Sequence, residues 1–127
     1  MGERGRVLVV DDDPDIRELV VLVLGQLGVD VEQAASGTAA LETARRWPPD
    51  LVTLDLGLPD IDGIETCRRL REFSQAYVLV LTAREERADR EVVIASGADE
   101  FMGKPFTPRE LRTAVRAVLV ERGLIEA

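Results

Sequence analysis

Apolar positions along this chain follow two rhythms. Residues 7–10, 51–54 and 77–81 are short, nearly unbroken aliphatic runs, whereas the stretches between them repeat apolar residues at helical spacing. Runs of the first kind read as buried strands, and the second kind reads as helices with one inner face. A helix is predicted from Pro14 to about Leu27, capped by Asp13 and stopped by Gly28, because a cap oxygen satisfies an orphan amide and proline has none to lose there. Its stripe is Ile16, Val20, Val23, Leu24 and Leu27, which leaves Val21 and Leu22 on the opposite side and predicted exposed.

Residues 29–34 alternate as a strand with one less protected face, and Ser36-Gly37 then caps a helix carrying Ala40, Leu41 and Ala44 that closes at Trp47-Pro48-Pro49. After the strand at 51–54 comes a loop with Gly57, Pro59, Asp60, Asp62 and Gly63, the two aspartates read as turn formers, then a helix through Ile64, Cys67 and Leu70. The strand at 77–81 leads through a polar stretch into a short helix ending near Ser96. Gly97-Ala98 turns into a brief fifth strand at 100–102. A last helix starts near Thr107 with Pro108 at a tolerated early position and a stripe of Leu111, Ala114, Val115, Val118 and Leu119. Five strand–helix units in alternation predict an α/β fold, a doubly wound five-stranded parallel sheet ordered 2-1-3-4-5 in a single domain with its core at about 6–121.

In such a sheet the C-terminal strand ends share one edge, where ligands bind. Four polar signals fall there: Asp11-Asp12-Asp13, Asp55, Thr82-Ala83 and Lys104-Pro105. Carboxylates, a hydroxyl and an ammonium in one pocket make a metal and phosphoryl site. Two like charges about 4 Å apart repel by roughly 4 kcal/mol at an effective dielectric of 20, so Lys104 alone offsets only part of the acids' repulsion. A hard divalent ion with oxygen ligands answers the rest, and Mg²⁺ fits best because it accepts a few carboxylates and keeps exchangeable waters. Zinc is disfavoured, since the chain has no histidine and Cys67 is remote.

Composition sharpens this picture. Of 127 residues, 46% are apolar but only 4% aromatic, so the core is aliphatic; a net charge of −8 argues against unaided DNA binding. The lone Cys67 excludes an internal disulfide, reads as a buried small hydrophobe and suits a reducing cytosol. The amino end lacks a signal-like apolar region and no run approaches membrane-spanning length, so a cytoplasmic protein without membrane attachment is expected.

The strings LVVDDDPDIREL, LDLGLPDIDGIE, LTA at 81–83 and GADEFMGKPF together resemble the receiver domain of two-component response regulators, and the ending KPFTPRELRTAVRAVL is similar to receivers that precede winged-helix DNA-binding domains. The resemblance implies a flavodoxin-like receiver fold with Asp55 as phosphoacceptor, Asp11 and Asp12 as the acidic pair for Mg²⁺, and Gly57 as the carbonyl that completes the metal shell. It further implies Thr82 as switch hydroxyl, Lys104 as phosphoryl-contacting cation, Phe101 as switch aromatic and Lys104-Pro105 as a cis peptide. The amide of Ala83 joins the stabilising groups. With no histidine in the chain, the phosphoryl donor is expected on a sensor histidine kinase or histidine phosphotransfer protein. The expected product is an aspartyl phosphate within a two-component phosphorelay, with the domain acting as a switch rather than as an enzyme in its own right.

Thr82 and Phe101 are then expected to relay phosphorylation to the face made by the fourth helix, fifth strand and last helix. Val92, Val93 and Ile94 cannot all point inward, so part of that face is predicted to meet a partner. Arg112 and Arg116 lie off the apolar stripe of the last helix, where a solvated face and pairing with acids of a second copy are equally open readings; Ala114 stands where related receivers often carry a basic residue and weakens the dimer expectation. Gly57 and Arg84 flank the reacting groups by two positions, where side chains modulate phosphate lifetime in such domains. Two other functional classes fit the sequence less well. An aspartate-nucleophile phosphatase needs a second aspartate at position 57, which is glycine, and a flavodoxin-like phosphate binder needs a first loop without three acids. A stand-alone receiver working through protein contacts is the nearer alternative to the front of a DNA-binding regulator.

Overall fold

The computed structural model describes residues 4–82 and 90–127. Its elements in order are β1 (Arg6–Val10), α1 (Pro14–Gly25), β2 (Asp30–Ala34), α2 (Gly37–Arg46), β3 (Leu51–Asp55), α3 (Gly63–Leu70), β4 (Tyr77–Thr82), α4 (Arg90–Ala95), β5 (Glu100–Gly103) and α5 (Pro108–Glu121). All neighbouring strands pair in parallel, in the predicted order β2-β1-β3-β4-β5. Successive residues along each strand then point to opposite faces of the sheet. Leu8, Val10, Val52, Leu54, Val78 and Val80 pack with Leu41, Cys67, Leu70 and Val93 of α2, α3 and α4. Val7, Val9, Leu51, Leu79 and Leu81 pack with Val20, Leu24, Leu111, Val115 and Leu119 of α1 and α5. Both faces are covered, which is why the central strands are apolar throughout.

The helices begin where their caps dictate. Asp13 accepts from the amides of Asp15 and Ile16, and Ser36 accepts from Ala39. Thr107 and Glu110 form a reciprocal capping box that fixes the start of α5. The two aspartates read as turn formers do more than turn the chain: Asp62 caps α3 through the Glu65 amide at 2.8 Å, and Asp60 accepts from the amides of Gly37 and Thr38, both at 2.9 Å, joining the loop after β3 to the start of α2.

Two expectations need correction. α1 ends at Gly25 rather than Leu27, because Gln26, Leu27 and Gly28 bond back three residues instead of four and so tighten the last turn before Gly28 at φ 80°. Val21 is half-buried against the α1–α5 cluster, while Leu22 is 64% exposed. At 100° per residue Val21 lies only about 60° past the edge of the inner stripe, whereas Leu22 lies opposite it. The thiol of Cys67 is buried, as expected, and burial pushes its pKa up.

At the end of α3, Arg71 fastens three elements together. Its Nε donates to Gly97 O at 2.8 Å and its Nη2 pairs with Asp99 at 2.7 Å, while Nη1 donates to Ala76 O. Asp99 also accepts from the Val78 amide at 2.8 Å. The start of β4 and the turn before β5 are thereby tied to α3.

Within the sheet one group lacks a partner: among the described residues, the Thr53 hydroxyl, on a side chain 1% exposed, makes no hydrogen bond. A buried polar group left unsatisfied costs about 1 kcal/mol or more. Thr53→Val keeps the shape and removes the hydroxyl, so chemical denaturation is expected to show a stabilisation of about 1 kcal/mol; equal or lower stability would mean that the hydroxyl is satisfied.

Candidate functional site

Register brings the acids together. Val10 pairs with Leu54, so the next residues, Asp11 and Asp55, leave adjacent strands side by side, and Asp55 pairs with Leu81, one residue before Thr82. Thr82 in turn pairs with Gly103, and its carbonyl accepts from the Lys104 amide at 2.6 Å. Five of the residues singled out from the sequence thus sit at one edge of the sheet. One carboxylate oxygen from each of Asp11, Asp12 and Asp55 lies within 4.8 Å of the other two. Lys104 Nζ stands 3.0 Å from Asp11 Oδ2 and 3.1 Å from Asp55 Oδ1.

Burial grades across the cluster. Asp11 and Asp55 retain 2% and 4% of their surface, whereas Asp12 is exposed. Asp55 is therefore an inner acid and Asp12 the outermost one. Burial of Lys104 pulls its pKa down, but the hydrogen bond and charge of Asp11 and the charge of Asp55 outweigh it, and the net direction is upward. The ammonium is held charged by its acids.

One ammonium against three carboxylates leaves two formal negative charges, which matches a divalent cation. All the donors are hard oxygens, the set that suits Mg²⁺ rather than a soft metal. The residues present fit that ion. The Gly57 carbonyl was expected to contribute as well; Gly57 lies exposed in the loop two residues past Asp55. The path of that loop depends on a close approach at Gly63: a Cβ there would lie 2.5 Å from Asp55 O and 2.6 Å from Leu56 Cα, and its amide donates to Leu56 O at 2.9 Å. Only glycine lets the start of α3 press so near the backbone of Asp55 and Leu56.

Other expected residues are placed as follows. Asp13 caps α1 and its amide donates to Asp11 Oδ1 at 3.0 Å. Thr82 is 1% exposed. Phe101 is half-buried, packed against the cluster under α2, α3 and α4, with the Arg90 guanidinium 5.0 Å from its ring centroid. The Lys104-Pro105 bond is cis. Ala83 and Arg84 lie outside the described residues. Val93 is buried while Val92 and Ile94 are 48% and 41% exposed, as their spacing required. Arg112, one of the two arginines read as either solvated or available to a second copy, donates to Gln26 Oε1 at 3.0 Å within the chain. Sequence reasoning missed Arg17, whose Nη1 donates to the Asp11 carbonyl at 2.9 Å; its place one turn after Pro14 was the available signal.

A model of the response regulator receiver domain matches residues 7–116. Among curated relatives, the DNA-binding response regulator MtrA of Mycolicibacterium smegmatis is 45% identical over 116 residues, covering 91% of this chain and 51% of that protein. The alkaline phosphatase synthesis transcriptional regulatory protein PhoP of Bacillus subtilis is 43% identical, over 90% of this chain and 48% of its own length. This chain spans about half the length of these relatives. Among solved structures, the chemotaxis response regulator CheY4 of Vibrio cholerae matches with a TM-score of 0.83 at 32% identity, covering 91% of this chain and 99% of that one. A CheY-like receiver domain protein of Methanospirillum hungatei JF-1 matches with a TM-score of 0.85 at 27% identity, covering 95% and 98%.

The Asp60 bridge to α2 carries its own pH signature. Hydrogen bonds from the Thr38 side chain and amide, then from the Ile61 and Gly37 amides, hold the Asp60 carboxyl far below its ordinary value of 3.8. A depressed carboxyl stabilises the fold fully above 3.8 and progressively less as pH falls toward its folded value. Asp60→Asn is therefore expected to lower Tm at neutral pH, with the gap to the original protein narrowing in acid below that value; a gap independent of pH would refute the charged bridge.

Proposed function

Because the chain belongs to the response regulator receiver domain family of two-component systems, we propose that Asp55 accepts a phosphoryl group from a phosphohistidine on a sensor histidine kinase or histidine phosphotransfer protein in the cytoplasm. The observation that carries this reading is the single cluster of Asp11, Asp12, Asp55 and Lys104 at the sheet edge. A carboxylate oxygen of Asp55 attacks phosphorus, the P–N bond breaks, and its electron pair leaves with the imidazole nitrogen. Asp55 needs no base, since a carboxylate is already ionised near pH 7. Asp11, Asp12, Asp55 and the Gly57 carbonyl would hold Mg²⁺, which when bound would supply fixed positive charge beside the phosphoryl group. Lys104, paired with Asp55, adds a second positive charge, and the Thr82 hydroxyl and Ala83 amide are the remaining donors. The residues assist gain and loss of their own phosphoryl group; they do not turn over a separate substrate.

Phosphorylation adds nearly two negative charges and new acceptor oxygens beside Thr82. In this reading Thr82 turns toward them and Phe101 moves into the space released, changing the surface of α4, β5 and α5. The Arg90 guanidinium over the Phe101 ring at 5.0 Å restrains that movement. The exposed Val92 and Ile94 then belong to a surface for a partner or a second copy. The relatives' names and double length favour the front half of a DNA-binding regulator over a stand-alone receiver, with DNA contact made by a separate domain, consistent with the charge of −8 here.

Incubation with acetyl phosphate and Mg²⁺ is expected to give, by mass spectrometry, one labile phosphoryl adduct that disappears in Asp55→Asn and without the metal; an adduct that persists in Asp55→Asn sinks the assignment. For the relay, ¹⁹F NMR of fluorophenylalanine-labelled protein is expected to show the Phe101 signal shifting on addition of beryllium fluoride and Mg²⁺, at lower ligand concentration in Arg90→Ala. An unmoved signal would reject the coupling.

A further inference from the structure

We infer that Arg17 positions the acidic loop for cation binding, by fixing the peptide unit between Asp11 and Asp12. This inference rests on reading Asp11, Asp12 and Asp55 as the Mg²⁺ site. Asp11 is held at four points. Its amide donates to Ala34 O at 3.2 Å, Oδ1 accepts from the Asp13 amide at 3.0 Å, Oδ2 accepts from Lys104 Nζ at 3.0 Å, and its carbonyl accepts from Arg17 Nη1 at 2.9 Å. Arg17 is itself braced, because its Nε donates to Gln33 Oε1 at 2.9 Å on β2, the residue before Ala34. A planar guanidinium held at two of its nitrogens has little freedom left.

The carbonyl of Asp11 and the amide of Asp12 belong to one rigid plane. Fixing that oxygen sets the direction from which the Asp12 side chain leaves the backbone. Asp12 is the exposed member of the cluster, so it has the most freedom to lose when a cation binds and gains most from being oriented beforehand.

Arg17 has a second effect of opposite sign, since its positive charge beside the site repels a cation. The two effects predict opposite outcomes on removal: lost positioning weakens Mg²⁺, and lost charge tightens it. Arg17 is half-exposed, where solvent and salt screen its field. Outer groups that orient metal ligands, by contrast, typically cost tenfold or more in affinity when removed. Positioning wins.

Calorimetric titration of the full chain with Mg²⁺ tests this. Arg17→Ala is expected to weaken binding about tenfold; Arg17→Lys, which keeps the repelling charge and loses the fork, should weaken it at least as much. Gln33→Ala removes the brace without touching any charge and should show a smaller weakening in the same direction. Val118→Ala, far along α5, lowers Tm without changing Mg²⁺ affinity, which separates positioning from general stability. Unchanged or tighter binding in Arg17→Ala, or wild-type affinity in Arg17→Lys, overturns the inference while leaving the site intact, provided Asp12→Asn abolishes binding. No Mg²⁺ binding to the original protein would overturn both readings together.

Discussion

Three carboxylates are forced into one small space by strand register, and the rest of the site answers their repulsion. Asp11 and Asp55 adjoin because Val10 pairs with Leu54, so neither can withdraw without breaking the sheet. Lys104 reaches both at about 3 Å and takes up part of the charge. What remains is an excess that water alone solvates poorly at two nearly buried groups, and that a hard divalent cation relieves. In the proposed reading, the same excess would leave Asp55 an ionised carboxylate at the centre of the cluster, where attack on phosphorus needs no base. Fold and chemistry meet in one constraint: parallel strands end together.

Packing explains why the edge holds its shape. Aliphatic layers on both faces of the sheet leave its strands no freedom to slip, since a one-residue shift would reverse every inward side chain. The tight meeting of Gly63 with the backbone of Asp55 and Leu56 presses α3 against the end of β3. Arg71 fastens the turn before β5 through Gly97 and Asp99, while at the start of α4 Arg90 lies over the half-buried ring of Phe101 on β5. A switch needs such contrast between a fixed end and a yielding one.

Much of this was legible in the sequence, and for a physical reason. Strand ends are marked by a change from aliphatic to polar residues, so Asp11, Asp12, Asp55, Thr82 and Lys104 announced a shared edge once the alternation of strands and helices implied a parallel sheet. Helix interiors were equally plain, because their stripes are periodic. What escaped depends mostly on distance across the fold: the Asp60 bridge to α2 and the Arg71 fastening to Gly97 and Asp99 join residues that no local pattern connects, whereas the Arg17 bond to the Asp11 carbonyl spans only six residues. Asp60 looked like an ordinary turn acid because its partners, Gly37 and Thr38, lie 23 and 22 residues earlier. The capping box of Thr107 and Glu110 was present in the sequence as a four-residue motif and would have fixed the start of α5 outright. Val21 was misplaced because an inner stripe has soft edges, not because the helix was wrong.

The central claim is that these acids act as one cation site, and paramagnetic relaxation by Mn²⁺ reads this most directly. In a two-dimensional amide NMR spectrum, substoichiometric Mn²⁺ should broaden the signals of residues 11–13, 55–57 and 104 together, with excess Mg²⁺ restoring them. Broadening confined to exposed acids elsewhere, such as Asp15 and Glu18 on α1, or spread without preference over the surface, would contradict it.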